Sequence, residues 1–266
     1  MSVADPIRIA MWSGPRNLST AMMRSFGARA DTVCVDEPFY AAYLETTGVD
    51  HPMRNEVLAS QDTDPAKVAQ VLSTSPTTRP VFYQKHMTHH MVPAIPRDWM
   101  AGLRHAFLIR HPARVLASYA QKMEAVSLEA IGFTQQAEIY DHVSSLSDQP
   151  PVIVDAERLR ANPEHEIRLL CKGLGIEFDS AMLSWQTGPK PEDGAWAPHW
   201  YDAVNRSSGF SPPSEHLPVV PALYTDILER ALVIYQRFLR QVQDDGTGDA
   251  VSGLSLGPSA PLDDNT

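Results

Sequence analysis

The sequence predicts an α/β domain of three layers, a doubly wound parallel sheet with helices on both faces. Three observations predict it. Short apolar runs alternate with amphipathic stretches over most of the 266 residues. The first apolar run leads into a tight turn and then a helical stretch, an arrangement that holds an anion at a helix N-terminus. The second run ends in paired carboxylates, at the edge where open α/β sheets bind ligands.

The elements follow in order. Residues 7–11 are nearly all apolar and suit a central strand. Trp12–Ser13–Gly14–Pro15–Arg16–Asn17–Leu18–Ser19–Thr20 is the turn, and residues 21–30 are the helix after it. Backbone N–H groups and the helix macrodipole would face an anion there. Arg16 adds a fork-shaped cation, Ser19 and Thr20 add hydroxyl donors, and Gly14 permits close backbone approach to a ligand. The stretch lacks the second Gly and the Lys of G-x-x-x-x-G-K-[ST], so it is not an ordinary ATP or GTP loop. A second strand over 32–35 ends in Asp36–Glu37–Pro38. Residues 39–78 are more polar and aromatic, with a helix opened by Asp64–Pro65. A third strand over 81–84 runs into Lys85–His86–Met87–Thr88–His89–His90. A fourth over 105–109 is followed by Arg110–His111–Pro112 and a helix. Residues 134–147 form a helix with Ile139, Val143 and Leu146 aligned, and 151–154 a fifth strand. Asn162–Pro163–Glu164 caps the next helix. Residues 186–213 are an ordered loop over the ligand face, and 215–241 a last helical segment delayed by Pro218 and Pro221.

Composition narrows the function. The formal charge is 22 − 32 = −10, and residues 241–266 hold five Asp and no Lys or Arg. A net-acidic body argues against broad nucleic-acid binding. Cys34 and Cys171 read as small core residues of a reducing compartment. The N-terminus lacks a signal-like charge and apolar pattern, and no apolar run approaches about 18 residues, so a cytoplasmic protein without a membrane role is expected. Residues 1–243 are expected to form one domain and 244–266 a disordered acidic tail. No ligand spacing points to a metal.

The residues resemble sulfotransferases that use 3′-phosphoadenylyl sulfate (PAPS). Pro15–Arg16–Asn17–Leu18–Ser19–Thr20 is similar to the 5′-phosphosulfate loop of the group that includes tyrosylprotein sulfotransferases. Arg16 takes the basic position and Ser19–Thr20 the hydroxyl pair; Asn17–Leu18 departs from the family's small residues. Residues 107–119 are similar to the 3′-phosphate segment, with Arg110 at a strand end and Ser118 eight residues on. Arg114 and Ser118 share a helix face, and an Arg with a Ser suits a terminal phosphate. Residues 152–159 with Asn162–Pro163 resemble a structural strand and turn of the family, and Lys190-x-x-x-Gly194-x-Trp196 its C-terminal loop over the 3′-phosphate.

The resemblance implies a P-loop nucleotide-hydrolase-like sulfotransferase fold. It also implies PAPS as co-substrate, bound by Gly14, Pro15, Arg16, Asn17, Ser19, Thr20, Arg110, Ser118 and Lys190. Arg16 would neutralise charge on the leaving phosphate. An acceptor hydroxyl or amine needs a base. Glu37 lies where tyrosylprotein and related bacterial sulfotransferases place a glutamate, and His86 near where cytosolic ones place a histidine. Both stay open at this point. Lys85 pairs with either phosphate or a carboxylate; Trp12 is read as core rather than adenine-stacking; Trp196, Trp200 and Tyr201 anchor the loop or line an acceptor pocket. The expected partner is a small-molecule acceptor of unassigned identity. The rival readings are an ATP-dependent phosphotransferase of nucleotide-kinase shape and a non-catalytic nucleotide-binding protein. A pyridoxal-phosphate enzyme is disfavoured, since only an isolated Lys85 would supply the Schiff base.

Overall fold

Five parallel strands carry the structure, a computed structural model that describes residues 5–123, 125–147 and 150–242. The expected tail over 244–266 lies outside the described residues. β1 (Ile7–Ser13) turns into α1 (Ser19–Gly27), and β2 (Thr32–Asp36) follows. Then come α2 (Tyr40–Thr47), α3 (Arg54–Ser60) and α4 (Pro65–Thr74) before β3 (Val81–Met87). β4 (Arg104–Ile109) leads into α5 (Pro112–Tyr119) and α6 (Phe133–Ser144). β5 (Val152–Asp155) leads into α7 (Ala156–Ala161) and α8 (Pro163–Gly173). Two short helices, α9 (Ala197–Trp200) and α10 (Asp202–Asn205), interrupt the next long segment, and α11 (Thr225–Leu239) follows.

The strand order is β2-β3-β1-β4-β5. The chain builds leftward from β1 to β3 and then crosses to β4 on the other side. That reversal opens a crevice at the carboxyl ends of the central strands. β1 is central and buried on both faces, which is why its sequence is almost all apolar. Ile9 and Met11 pack with Phe26, Leu170 and Leu174 in one layer. Ala10 and Trp12 pack with Phe107, Tyr140 and Phe238 in the other. The polar exception, Arg8, donates to the carbonyls of Leu72 (3.1 Å) and Ser75 (2.6 Å), closing the end of α4.

Three differences from the sequence-based expectation have physical causes. β3 continues to Met87 instead of stopping at Gln84, because its polar residues find partners inside the protein: Gln84 Nε2 donates to Leu72 O at 2.9 Å, and Lys85 is held by carboxylates. The aromatic stretch after Phe39 is helical, α2, with Tyr40, Ala41, Ala42 and Leu44 all buried and no side-chain cap to announce it. The last helix begins at Thr225, after Pro218 and Pro221, not at Glu215.

The long segment over 186–213 is pinned to the body. Arg24, in the last turn of α1, meets Asp193 through two bonds of 2.5 and 2.8 Å, and also donates to Asn205 Oδ1 at 3.2 Å. Both partners of the ion pair are buried. Such a pair is costly to break from one side, because the survivor is left as a buried unpaired charge. Asp193→Ala is therefore expected to cost about 3–5 kcal/mol, read as a lower urea midpoint. Lys67→Ala, which removes an exposed 3.8 Å contact with Asp64, is expected to stay within about 0.5 kcal/mol of wild type.

Candidate functional site

The turn after β1 bends by placing Arg16 and Leu18 both at φ 64°, in the left-handed region. Neither is glycine, so each conformation costs roughly 1–3 kcal/mol and persists only where surrounding structure enforces it. The turn delivers the chain to Ser19, the first residue of α1, without a side-chain cap and without an acid in the first turn. The first N–H groups of a helix have no partner within it, so this N-terminus is left available to an anion. A Cβ at Gly14 would stand 2.4 Å from the carbonyl oxygen of Ile131, so the protein's own backbone requires a glycine here.

A cavity of about 340 Å³ opens at the carboxyl edge of the sheet. Pro15, Arg16, Asn17, Ser19, Thr20, Arg110 and Ser118 line it together, along with Glu37. Residues that follow β1, β2 and β4, with Lys85 and Met87 of β3, thus converge on one space. Arg16 Nε donates to Ser118 Oγ at 2.8 Å, and Arg110 donates to the carbonyl of Arg16 at 2.8 Å. Arg110 also approaches Glu157 Oε1 at 3.4 Å, and Arg114 lies 3.1 Å from Glu157 Oε2. Arg16 differs from both: among the described residues no carboxylate pairs with it, and burial alone pulls its pKa below the usual value. A half-buried guanidinium without a counter-ion is itself a sign of an anion site. Asn17 donates weakly to Leu108 O at 3.5 Å, and its Oδ1 is buried without a partner.

The same cavity is also lined by a buried charge cluster. Lys85 Nζ donates to Asp36 Oδ1 (2.8 Å), Glu37 Oε1 (2.5 Å) and the hydroxyl of Tyr201 (2.8 Å). Burial works against the ammonium, yet Asp36 and Glu37 hold its pKa well above the ordinary lysine value. Two carboxylates share that one cation. Asp36 is the better satisfied, because its Oδ2 also accepts from Tyr201 O–H (2.7 Å) and Gly194 N–H (3.1 Å). Glu37 is left with the imbalance. Burial raises its pKa to about 7, with Lys85 opposing the rise and Asp36 adding to it.

Besides Gly14, which does not line this space, two sequence-based candidates fall outside it. His86 lies within β3, not past it, and strand alternation turns it away from the side of Lys85 and Met87. Its ring stacks on Trp12 with centroids 4.5 Å apart and bonds to Gln84 Oε1 at 3.1 Å. Burial, with His105 and Lys85 adding, lowers its pKa to about 3. Lys190 is the second correction. The Asp193–Arg24 pair draws its turn to the end of α1, where the backbone N–H of Lys190 donates to Asp193 Oδ2 at 2.8 Å, and the residue does not line the cavity. Trp12 is fully buried core, and Trp196 is buried too, its Nε1 donating to Tyr201 OH at 3.0 Å.

The cavity also includes Arg160, Tyr40 and His51, which the sequence alone did not single out. Arg160, from α7, lines it while donating to the carbonyls of Ser211 (2.7 Å) and Pro212 (2.8 Å). Tyr40 and His51, joined by a hydrogen bond, form part of the wall around Glu37, with His89 and His90. His90 stacks between Tyr40 (4.5 Å) and Tyr43 (4.9 Å). Its Nε2 is 3.9 Å from Glu37 Oε2, but burial holds the ring neutral, as it does His89, whose pKa falls to about 3. Helix α2 supplies the tyrosines, and it carried no capping signal in the sequence. Among the described residues no group of three or more His, Cys, Asp or Glu is placed to hold a metal ion, and no helix is long and apolar enough to cross a membrane.

Comparison with known proteins follows this geometry. A family profile described as a sulfotransferase domain matches residues 7–241. The chain is 36% identical over 263 residues to branched-chain-amino-acid aminotransferase-like protein 1 of Arabidopsis thaliana, covering 99% of this chain and 47% of that protein. It is 35% identical to the Arabidopsis protein 2 of the same name, covering 97% and 45%. The chain therefore spans about half the length of these curated relatives. Among solved structures, the sulfotransferase domain of the curacin biosynthetic pathway aligns with TM-score 0.53 at 13% identity, over 90% of this chain and 98% of that one. A sulfotransferase from Alicyclobacillus acidocaldarius aligns with TM-score 0.51 at 12% identity, over 91% and 98%. At these identities the likeness is one of fold.

The raised Glu37 value has a measurable sign. An acid whose pKa rises on folding favours the folded state while protonated, and that advantage is lost as pH climbs through the folded value. Wild type is expected to lose stability relative to Glu37→Gln as pH rises from 4.5 through about 7. Urea midpoints measured at intervals across that window check it; a flat difference would show that Glu37 titrates normally.

Proposed function

The chain belongs to the sulfotransferase family whose profile spans residues 7–241, and from that premise we propose that it moves a sulfuryl group from PAPS to a hydroxyl or amine of a small-molecule acceptor. The observation that carries the reading is Arg16: a half-buried guanidinium without a carboxylate partner among the described residues, beside a bare helix N-terminus and lining the same cavity as Glu37. That combination offers a site for a leaving anion and a base in one space.

The donor, when bound, supplies an activated sulfuryl group on a nucleotide 5′-phosphate. The residues of this chain do the rest. Backbone N–H groups of α1, with Ser19 and Thr20, hold the 5′ end. Arg16 neutralises the charge that grows on the leaving phosphate, acting through the field and not as an acid. Arg110 and Ser118 hold the 3′-phosphate, and Arg160 takes the place that the sequence resemblance gave to Lys190. Glu37 Oε2, the oxygen not engaged by Lys85, takes the acceptor's proton. A carboxylate with a pKa near neutrality is matched to that task. The aromatic and histidine wall around Glu37 receives the acceptor. The aminotransferase-like name of the plant relatives finds no counterpart in this cavity, since the Lys85 ammonium is already committed to Asp36, Glu37 and Tyr201.

Calorimetry with adenosine 3′,5′-bisphosphate tests the donor side. Arg16→Ala and Arg110→Ala are each expected to weaken binding by at least about tenfold, given about 1.5–3 kcal/mol for a hydrogen bond to a charged group. Tight ATP binding with no preference for a 3′-phosphate would overturn the reading. On the chemical side, Glu37→Gln is expected to lower kcat by about 10²–10⁴ while leaving bisphosphate affinity within about twofold. Wild-type rate should fall on the acid side of about pH 7, as Glu37 takes up its proton.

A further inference from the structure

One side chain belongs both to the covering segment and to the charge cluster. Tyr201 stands at the junction of α9 and α10, within the long segment over 186–213, and is 4% exposed. Its hydroxyl is fully used: it donates to Asp36 Oδ2 at 2.7 Å and accepts from Lys85 Nζ at 2.8 Å and from Trp196 Nε1 at 3.0 Å. Lys85 spends its three protons on Asp36, Glu37 and Tyr201. Asp36 Oδ2 receives both its donors, Tyr201 O–H and Gly194 N–H, from the same segment. Other anchors of the segment, Asp193 and Asn205 on Arg24 and the Ser211 and Pro212 carbonyls on Arg160, touch none of these groups.

We propose that Tyr201 is a positioning residue that lets Glu37 work as a base only while the 186–213 segment is seated on the sheet edge. The inference rests on Glu37 as the proton acceptor argued above. With the segment seated, Asp36 is satisfied by Tyr201 and Gly194, and the Lys85 ammonium is free to lean on Glu37. With the segment lifted, Asp36 Oδ2 loses both donors and draws Lys85 to itself. Glu37 then loses both its cation and the Tyr201 hydroxyl, and it holds a proton it would otherwise release. The Tyr201 hydroxyl itself also faces Glu37 and favours its charged form, and the other groups around Glu37 leave no substitute. His90 is held neutral, His51 is bonded to Tyr40, and Gln61 donates to the Glu37 carbonyl and not to its carboxylate. Proton abstraction is thereby tied to a covered cavity, in which water is excluded from the activated donor.

The experiment reads the ionisation of Glu37 directly, by NMR of protein labelled with carboxyl-¹³C glutamate, with the resonance assigned through Glu37→Gln. Tyr201→Phe, which keeps the ring and removes the hydroxyl, is expected to raise the Glu37 midpoint by about one pH unit. It should also speed backbone hydrogen exchange over residues 190–205 by about tenfold. Asp36→Asn is expected to move the midpoint the opposite way, because Lys85 then serves Glu37 alone. Opposite shifts from two neighbours are not what general loosening produces, and the acid limb of the rate profile should follow both. A Glu37 midpoint that stays put in Tyr201→Phe, or a downward shift there, overturns the proposal. Neither measurement depends on turnover, so a wild-type protein that fails to transfer sulfuryl from PAPS overturns the functional reading while the two midpoints still decide the role of Tyr201.

Discussion

The structure depends most on one ammonium group held between two carboxylates. Lys85 sits in the middle of the edge region of the sheet, at a register position opposite Asp36 in β2 and Met11 in β1. Burial forces a choice on this trio. Three charges that do not sum to zero cannot all be maintained away from water without cost. Asp36 is surrounded by donors and absorbs one share of the cation; Glu37, held at φ 41° by the turn after β2, absorbs the shortfall. A single imbalance thus sets the protonation of one carboxylate, ties down a covering segment through Tyr201, and leaves a lysine with no free proton to offer.

The turn after β1 follows the contrary rule. There the protein withholds partners. Helix α1 starts without a cap, the turn before it spends backbone energy at Arg16 and Leu18, and Arg16 has no counter-ion among the described residues. Glu157 faces Arg110 and Arg114 instead and leaves Arg16 uncompensated. One part of the cavity lining is overfilled with protein charge and another is left electrostatically unfinished. A ligand with a strong negative charge and a group that gives up a proton would complete both, which is why the geometry and the family membership point the same way.

Much of this was legible in the sequence because it is local. The strand, turn and helix around Gly14 to Thr20, and the Arg110 to Ser118 spacing, are written within a dozen residues each, and the cavity brings them together. What was illegible depends on partners far away in the chain. The polar run at Gln84, Lys85 and His86 looked like the end of a strand, yet Leu72, Asp36 and Trp12 bury those residues and let β3 continue. That misplaced end put His86 on the wrong side of the sheet. Lys190 matched a local pattern, but Asp193 binds Arg24 across 169 positions and pulls the turn elsewhere. The sequence singled out Gly14 for close approach to a ligand, and the neighbour that a side chain there would strike is a carbonyl 117 residues downstream, at Ile131.

That last contact has a consequence for how this chain can vary. Gly14 backs onto Ile131, and the next residue, Gly132, lies at φ 75° with its own missing side chain aimed at Thr88 Oγ1 (2.6 Å) and at the Cα of Gly14 (3.3 Å). The two glycines are therefore linked: an atom added at Gly14 would collide with the carbonyl of Ile131, and one added at Gly132 would collide with Thr88 Oγ1 and crowd Gly14. Random mutagenesis should find both positions intolerant together, and a lineage that changes one can survive only by re-routing the chain before α6. The turn after β1 is shaped from behind, by a backbone wall that no inspection of the turn's own residues would reveal.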